Sequence, residues 1–362
     1  MSKALDSTPR QDGFRMPGEH APQLAVLMAW PERADNWREG AAPAQAAFAA
    51  VAAAIHAATP VIVCASAMQQ DRARALLPAG VEVLEVPSDD SWMRDIGPTY
   101  VINDAGERRG VDWHFNAWGG AVNGLYADWS LDDAVAGKVL SRRGEGRYRA
   151  PLVLEGGSIH VDGEGTCITT AECLLHPGRN PDLDAGAIEA LLAEYLGVEK
   201  IIWLPRGLYN DETDGHIDNI LHVAGPAEVL LTWCDDPADP VYAICRDCLA
   251  ILEQERDARG RSFTVHKLPM PGPLYLSEPE AAGIQPSAGM TRCAGERLAA
   301  SYANFLITNG RVVFPLLDPE HDSAAHDILQ NVFADREVVG VDGREILLGG
   351  GNIHCITQQI PA

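Results

Sequence analysis

The chain has 362 residues, of which 46% are hydrophobic and 22% are charged, a balance that excludes the disordered and fibrous classes. The net charge of -23 disfavours nucleic acid and anionic membrane surfaces as partners; it would suit a cationic substrate, although the ordinary acidity of soluble proteins is the simpler explanation. The N-terminal stretch has no apolar segment and no apolar run reaches membrane-spanning length, so we expect a cytoplasmic protein without signal peptide or membrane span.

The cysteines predict reduced thiols. Eight cysteines in a chain of this length, without a secretion signal, do not form a disulfide framework. Cys245 and Cys248 form a C-x-x-C pattern, but it lies inside a helical pattern without a second pair or a His cluster. We therefore interpret that pair as core residues and not as a zinc site.

Five segments carry helical signals, namely good helix formers or apolar residues at helical spacing between caps and prolines. In chain order they are residues 42–58, 66–77 with Ser66 as a possible N-cap, 181–197 with Gly197 as a stop, 239–259 and 323–333.

A strand–turn–strand unit recurs between these helices. Four instances cover residues 95–106, 155–169, 216–233 and 302–314, the last with the hairpin signal Asn309-Gly310, and a fifth begins at residues 350–357 and stops. Asp95, Glu155 and His216 open the first three, at separations of 155 − 95 = 60 and 216 − 155 = 61 residues. Such a period suggests a repeat architecture whose strand starts converge on one centre. A doubly wound sheet would also alternate strands and helices, but we find no Gly-rich phosphate loop to accompany one.

Reactive side chains cluster beside glycines at these strand starts. On a strand, His216 and Asp218 would share a face and form an acid–base and charge-binding pair, although a solvent-facing His beside a turn Asp is as good an interpretation of this motif alone. Cys355 follows three glycines and an Asn; alone, such a Cys is more often an inert core thiol. Cys, His and several carboxylates together favour covalent attack on a planar cation such as a guanidinium.

Several segments spread over almost the whole chain carry a resemblance to a known family. They are Met16-Pro-Gly-Glu-His20, Trp30-Pro-Glu-Arg33, Asp90-Ser-Trp-Met-Arg-Asp95, Phe115-Asn-Ala-Trp-Gly-Gly120, residues 154–169, Trp203-Leu-Pro-Arg-Gly207, Gly215-His-Ile-Asp-Asn219 and residues 349–361. With these the sequence resembles the agmatine deiminases of the guanidino-group-modifying superfamily. The resemblance implies one catalytic domain over residues 1–362, folded as a pentein-type five-bladed α/β propeller of ββαβ units around a central active site.

The resemblance also implies roles for individual residues. Cys355 would be the nucleophile and His216 the general acid and base, with Glu155 orienting His216. Asp95 and Asp218 would clamp the guanidinium. The substrate channel would involve further residues: Trp92 as lining, Gly350 and Gly351 to let the substrate approach the thiol, and Glu212 or Asp214 to meet the distal ammonium of agmatine.

The implied reaction converts agmatine and water into N-carbamoylputrescine and ammonia through a covalent amidino-cysteine. Side chains fill every role, so we expect neither metal nor organic cofactor, and the resemblance implies a homo-oligomer. Arg94 is a cation within these motifs; strand alternation would point it away from Asp95 and the pocket.

Three alternatives stay open on sequence grounds. The first is a peptidyl-arginine or free-arginine deiminase with the same chemistry. The second is a metallohydrolase that uses His216, Asp218, Asp95 and Glu155 as ligands. The third is a silent polyamine-binding protein, which would have no need of Cys355.

Overall fold

The computed structural model describes residues 4–287 and 292–362, which form an α/β fold of five separate mixed sheets. The strands are β1 (Gln23–Ala29), β2 (Val61–Ala65), β3 (Glu82–Glu85), β4 (Thr99–Ile102), β5 (Arg108–His114), β6 (Gly146–Val153), β7 (Ile159–Val161), β8 (Thr166–Thr170), β9 (Lys200–Leu204), β10 (Leu221–Gly225), β11 (Glu228–Trp233), β12 (Thr264–Pro269), β13 (Leu306–Ile307), β14 (Arg311–Leu316), β15 (Glu337–Asp342) and β16 (Thr357–Pro361).

The helices of the described residues lie between these strands. They are α1 (Ala42–His56), α2 (Gln70–Leu76), α3 (Met93–Ile96), α4 (Gly120–Asn123), α5 (Val135–Arg143), α6 (Ala171–Leu174), α7 (Ala185–Leu196), α8 (Ile217–Ile220), α9 (Val241–Gln254), α10 (Glu278–Ala282), α11 (Asp322–Val332) and α12 (Arg344–Leu347), with 3₁₀ turns at Arg38–Ala41 and Gly156–Ser158.

The sheets share one plan. In each, a strand pairs antiparallel with the next, which then pairs parallel with a third strand after a helical crossover. The triplets in chain order are β4-β5-β6, β7-β8-β9, β10-β11-β12 and β13-β14-β15, with α5, α7, α9 and α11 in the respective crossovers. A parallel pair needs such a crossover because the chain must return to the same end of the sheet.

The fifth sheet joins the two ends of the described chain. Strand β16 pairs antiparallel with β1, with Met28 opposite Thr357, and β1 pairs parallel with β2 across α1. The predicted unit that begins at residues 350–357 and stops is therefore completed by N-terminal strands. Strand β3 extends this sheet to four strands.

The five predicted helices are present: four are shorter than predicted, and α11 has the predicted length but begins one residue earlier. For α7 the caps are well defined, because the Asp184 side chain accepts from the Ala187 N–H and Gly197 adopts a left-handed conformation at the C-terminus. The predicted N-cap of α2 is wrong. That helix begins at Gln70, while the Ser66 hydroxyl donates to Glu32 instead, so the side chain serves a tertiary contact.

The apolar faces of the helices pack on their own sheets and form the core. On α7, Ile188, Leu192 and Leu196 are fully buried beside strands β6 and β7. Cys245 and Cys248 are buried on α9, in line with their interpretation as core residues. Within residues 4–287 and 292–362, no helix is both long and apolar enough to cross a membrane.

The segments that precede strands β4, β7 and β10 are short helical turns, and this corrects two predictions. His216 and Asp218 do not lie on a strand, because His216 precedes α8 and Asp218 lies within it. Arg94 and Asp95 both lie in the turn α3, so strand alternation does not apply to them either. The expensive burial of these charged groups is tolerated because each faces polar partners at a strand start.

Candidate active site

A cavity opens onto the strand starts of several units. Its walls contain two tryptophans, two carboxylates, three successive glycines and one thiol. The lining residues are Trp92, Asp95, Trp118, Leu125, Glu212, Thr213, Asn219, Gly349, Gly350, Gly351 and Cys355.

Cys355 is held by Asn304 in the turn that leads into β16. The Asn304 amide Nδ2 lies 3.1 Å from Sγ, and its Oδ1 accepts from the backbone N–H of Cys355 at 3.3 Å. Burial raises the pKa of the Cys355 thiol well above its usual value, and the nearby carboxylates of Asp218 and Asp95 raise it further. In the absence of a cationic substrate, these groups therefore favour the protonated thiol at neutral pH.

Two glycines permit the close approach of these groups. A Cβ at Gly351 would lie 3.1 Å from the Cys355 Sγ and 2.6 Å from the Trp92 ring. A Cβ at Gly157 would lie 2.6 Å from His216 Nδ1 and 3.0 Å from both Asp95 Oδ1 and Asp218 Oδ2. Three predicted site residues thus converge on the single point next to Gly157, which only a glycine leaves free.

The Asp95 carboxylate is oriented by two N–H donors. The Trp118 indole Nε1 donates to its Oδ2 at 2.9 Å and the Gly157 backbone N–H donates to its Oδ1 at 2.9 Å. Burial raises the pKa of Asp95 to about 6, with the repulsion of Asp218 and Glu155 opposed by the attraction of His216.

His216 lies between two carboxylates. Its Nε2 is 3.4 Å from Glu155 Oε2 and its Nδ1 is 4.0 Å from Asp95 Oδ2. Burial opposes a charge on this ring, but the anionic neighbours overcome it and raise the pKa of His216 well above the usual value. The ring is therefore an imidazolium, which is able to act as a general acid.

Glu155 owes its negative charge to a buried arginine. The Arg179 Nε donates to Glu155 Oε1 at 3.0 Å, and both side chains are 0% exposed. Burial alone would raise the pKa of Glu155, but the charges of Arg179 and His216 lower it to about 2. Glu155 thus remains ionised and holds the proton of His216.

Asp218 is the carboxylate next to the thiol. Its Oδ2 is 3.6 Å from the Cys355 Sγ and 2.8 Å from His354 Nδ1, whereas its Oδ1 has no hydrogen-bond partner among the described residues. Burial opposes ionisation, but hydrogen bonding and the charge of His354 lower the pKa of Asp218 below the usual value. An ionised, half-satisfied carboxylate next to a thiol is a binding group for a cation.

The tryptophans provide flat apolar walls. Trp92 packs on Trp37 with ring centroids 5.2 Å apart, and the indoles of both donate to Asp90, at 3.0 Å and 2.8 Å respectively. Trp118 packs edge-on against Phe115. A planar cation and a methylene chain both fit between such walls.

Of the two carboxylates considered for the distal ammonium, the cavity reaches Glu212. Its carboxylate accepts from Arg292 at 2.6 and 2.9 Å, and burial raises its pKa. Asp214 lies outside the lining and pairs with Arg179 and Asn123. The structure thus brings Asp95, Glu155, His216, Asp218 and Cys355 together, with Trp92, Glu212, Gly350 and Gly351 along the cavity.

Arg94 faces away from the cavity, as predicted, although through a helical turn. Its guanidinium lies 3.2 Å from Glu19 Oε2 and donates to Gln359 Oε1 at 2.7 Å, and its side chain is buried.

The sequence patterns did not identify four residues that contact the site: Asn304, Trp118, Gly157 and Arg179. The position of Asn304 could have identified it, because Asn304 lies near the start of the fourth strand–turn–strand unit, as Asp95 lies at the start of the first. Gly157 and Trp118 lie in motifs noted above, but a motif does not show which donors meet. Arg179 lies in a loop before α7, where the sequence shows no pattern.

Two groups of described residues have the spacing of metal ligands. They are His160, His222 and His354, and Glu155, Cys173 and His216. In the first group His354 already bonds carboxylates with both ring nitrogens, and in the second Glu155 is already paired with Arg179. The one carboxylate of the second group is therefore neutralised by Arg179, and Glu19, the carboxylate bonded to His354 Nε2, also pairs with Arg94.

The family model for Porphyromonas-type peptidyl-arginine deiminases matches residues 15–361. The chain therefore belongs to this family. A relative from Pseudomonas aeruginosa (strain LESB58), named agmatine deiminase, is 59% identical over 359 residues, which cover 98% of both chains. A solved structure described as agmatine deiminase of Enterococcus faecalis catalysing its reaction is 47% identical, covers 99% of each chain and superposes with a TM-score of 0.96. A C. jejuni agmatine deiminase, solved as a cysteine-to-serine form with substrate bound, is 26% identical, covers 96% of each chain and has a TM-score of 0.84.

Proposed function

We propose that the chain hydrolyses agmatine to N-carbamoylputrescine and ammonia, with Cys355 as the nucleophile. The observation that supports this most directly is the convergence of Asp95, His216 and Asp218 next to Gly157, beside a thiol at the end of a tryptophan-walled cavity. Relatives named agmatine deiminase at this level of identity support the choice of substrate.

The first step is binding of the guanidinium. Its planar N–H groups match the carboxylates of Asp95 and Asp218, and the unpartnered Oδ1 of Asp218 gains its missing hydrogen bond. The cation also changes the thiol. Burial keeps the pKa of Cys355 high, but a positive charge among these carboxylates offsets their repulsion and lowers it, so the thiol proton passes to solvent as the substrate binds.

The second step forms the covalent intermediate. The Cys355 thiolate attacks the guanidinium carbon, and the S–C bond gives a neutral tetrahedral adduct. The His216 imidazolium donates its proton to one amino group, the C–N bond breaks and ammonia leaves. The product is a positively charged amidino-thioether, which Asp95 and Asp218 stabilise.

The third step is hydrolysis. Neutral His216 takes a proton from water, whose oxygen attacks the amidino carbon. The S–C bond then breaks, the thiolate departs, and loss of one proton from oxygen yields the ureido product. His216 regains its imidazolium form with Glu155 alongside, so the site is ready for the next substrate.

Glu212 is the group we assign to the distal ammonium. It lines the cavity, and the butyl chain would run between the walls of Trp92 and Trp118. Asp214, considered with it on sequence grounds, does not line the cavity.

The architecture we infer is one catalytic domain built as a five-bladed propeller. Five sheets share the same strand plan, and the residues just before their first strands, Asp95, Glu155, His216, Asn304 and Cys355, lie close together; both observations support that arrangement. A homo-oligomer and a cytoplasmic location stay predictions, and light scattering of the purified protein tests the first.

A substrate panel tests the proposed function. Purified protein is incubated with agmatine, free arginine and a peptidyl-arginine, and ureido product and ammonia are measured. We expect turnover of agmatine, abolished by Cys355→Ala and preserved in Cys248→Ala, a matched buried cysteine on α9. Turnover of only the peptide would favour the peptidyl-arginine alternative.

Chelation separates our proposal from the metallohydrolase. We expect activity to persist after exhaustive EDTA treatment and to disappear on alkylation by iodoacetamide. Loss in EDTA that a divalent ion restores would refute the covalent route through Cys355.

A further inference from the structure

Three charged residues from separate sequence motifs meet below the active site and have no role in the reaction described so far. They are Glu19 before β1, Arg94 in α3 and His354 beside the nucleophile, and all three side chains are buried. The Glu19 Oε2 lies 2.9 Å from His354 Nε2 and 3.2 Å from an Arg94 guanidinium nitrogen.

This group continues to the reacting thiol. The other nitrogen of His354, Nδ1, lies 2.8 Å from Asp218 Oδ2, and that same oxygen lies 3.6 Å from the Cys355 Sγ. A continuous path therefore runs from Glu19 through His354 and Asp218 to the sulfur. Two residues, His354 and Asp218, therefore separate Glu19 from the guanidinium of the substrate.

Both nitrogens of His354 face carboxylate oxygens, and only an imidazolium donates from both nitrogens at once. A neutral ring would leave one nitrogen lone pair against a buried carboxylate oxygen, which is repulsive. Burial and the nearby Arg94 charge oppose a proton here, but Glu19 and the hydrogen bond to Asp218 overcome them and raise the pKa of His354.

The protonation states of the titratable groups around this ring are consistent with an imidazolium at His354. His160 and His222 pack on His354 with ring centroids 5.1 and 5.0 Å away, and burial lowers the pKa of both, so they remain neutral. Glu19 faces His354, Arg94 and His222; burial opposes its charge, but the first two cations hold its pKa well below the usual range.

We propose that Glu19 and His354 are positioning residues, with Glu19 holding a permanent proton on His354 so that the imidazolium keeps Asp218 ionised and aimed at the guanidinium. This inference rests on the proposed function for its catalytic consequence, but not for the protonation state itself.

A purely structural role for Glu19 is the alternative. Its Oε1 accepts from the Ile307 backbone N–H at 2.8 Å and so connects the segment before β1 to strand β13. Glu19→Gln keeps an acceptor oxygen for that N–H, removes the charge and turns its NH₂ group towards His354 and Arg94. The variant therefore separates the two roles.

The protonation state is measured directly by NMR on protein labelled with ¹⁵N-histidine, with the His354 signals assigned by their loss in His354→Asn. We expect both ring nitrogens of His354 to carry protons from about pH 6 to about pH 8.5, well above where an ordinary histidine titrates. A neutral His354 ring at pH 7 overturns the proposal. This measurement needs no turnover, so it stands even if agmatine is not the substrate.

Kinetics supply the second test. In Glu19→Gln we expect His354 to titrate near its ordinary range, so kcat/KM for agmatine is at least about tenfold lower than that of the wild type at pH 8.5, and the ratio of variant to wild type at the same pH rises towards one near pH 6. The matched control is His160→Asn. Among the described residues, His160 packs on the His354 ring but forms no hydrogen bond with Glu19 or Asp218. A pH-independent loss in Glu19→Gln, equal to that in His160→Asn, overturns the proposal. If Glu19→Gln does not fold, the NMR titration of the wild-type protein decides.

Discussion

The side-chain amide of Asn304 contacts Cys355 at two places, with Nδ2 3.1 Å from the sulfur and Oδ1 3.3 Å from the backbone nitrogen. Because Oδ1 also accepts from the backbone N–H of His354 at 2.9 Å, the amide is oriented with its NH₂ group towards the sulfur. A neutral donor in this position stabilises a thiolate without repelling a cationic substrate.

Asn304→Asp tests this contact, because aspartate keeps the acceptor for the two backbone N–H groups and replaces the donor with a negative charge. We expect the pKa of Cys355 to rise further and the rate of alkylation by iodoacetamide at pH 8 to fall at least about tenfold, since the thiolate is the reacting form. Mass spectrometry of the labelled peptide measures that rate. An unchanged rate in a variant with wild-type thermal stability would show that Asn304 only supports the turn.

The two clamping carboxylates are tested by Asp95→Asn and Asp218→Asn. Asparagine keeps the shape, loses the charge and turns an N–H towards the N–H groups of the guanidinium. We expect kcat/KM for agmatine to fall by far more than tenfold in each, where tenfold corresponds to about 1.4 kcal/mol. Asp235→Asn, an exposed carboxylate, is the control. A loss smaller than tenfold in either variant would contradict the clamp.

The pH dependence of kcat/KM reports on Asp95. Burial raises the pKa of this carboxylate to about 6, and only the ionised form binds the guanidinium, so kcat/KM decreases as the pH falls through about 6. Trp118→Phe removes the N–H donor that favours the ionised form. We expect the acidic limb of the profile to move to higher pH in this variant. A limb at the wild-type position would show that another group controls it.

Substrate preference follows from the charges of the cavity wall. Among the described residues that line it, none is a Lys or Arg, whereas Asp95 and Glu212 are acidic. The carboxylate of free arginine would lie among these anions, so we expect agmatine to be preferred by at least about a thousandfold in kcat/KM, or roughly 4 kcal/mol. Steady-state kinetics at equal ionic strength measure the ratio. Glu212→Gln is expected to lower the ratio of kcat/KM for agmatine to kcat/KM for arginine. Comparable kcat/KM values for the two substrates in the wild type would instead indicate that a cation lines the cavity.

Stability is tested at the buried pair of Glu155 and Arg179. Arg179→Met leaves an unpaired buried carboxylate, and we expect the free energy of unfolding at pH 7 to fall by about 3–5 kcal/mol. The Glu155 pKa of about 2 is depressed, so its contribution is complete above the ordinary value and is lost as the pH falls towards 2. The destabilisation by Arg179→Met is therefore expected to shrink on acidification. Arg206→Met, which breaks an exposed pair, serves as control with a change below about 1 kcal/mol.

Residues whose role follows from local pattern were predictable from the sequence. The five helical regions and the strand–turn–strand units are present, because caps, turn residues and periodicity are local properties. The predicted site residues also come together, since they recur at strand starts. Local pattern failed at Ser66, whose hydroxyl is bound by Glu32, and at His216 and Asp218, where a helical turn replaces the expected strand.

Contacts between residues that are far apart in the sequence could not be predicted from it. Nothing near Arg179 indicates that it meets Glu155, and nothing near Glu19 indicates that it meets His354, because the partners lie 24 and 335 residues apart in the sequence. Asn304 is intermediate, as its place in the fourth unit corresponds to that of Asp95 in the first. An uncharged residue in that place attracts less notice than a carboxylate, although it contacts the sulfur.

The pairing of Met28 with Thr357 joins positions 357 − 28 = 329 residues apart, and Cys355 lies just before that strand. Loop closure over such a distance is entropically costly and slow compared with the local pairing inside each sheet. A refolding molecule can therefore complete four of its sheets while the thiol is still out of place. Recovery of catalytic activity after dilution from denaturant times this last closure, whereas circular dichroism reports the earlier formation of helices and strands.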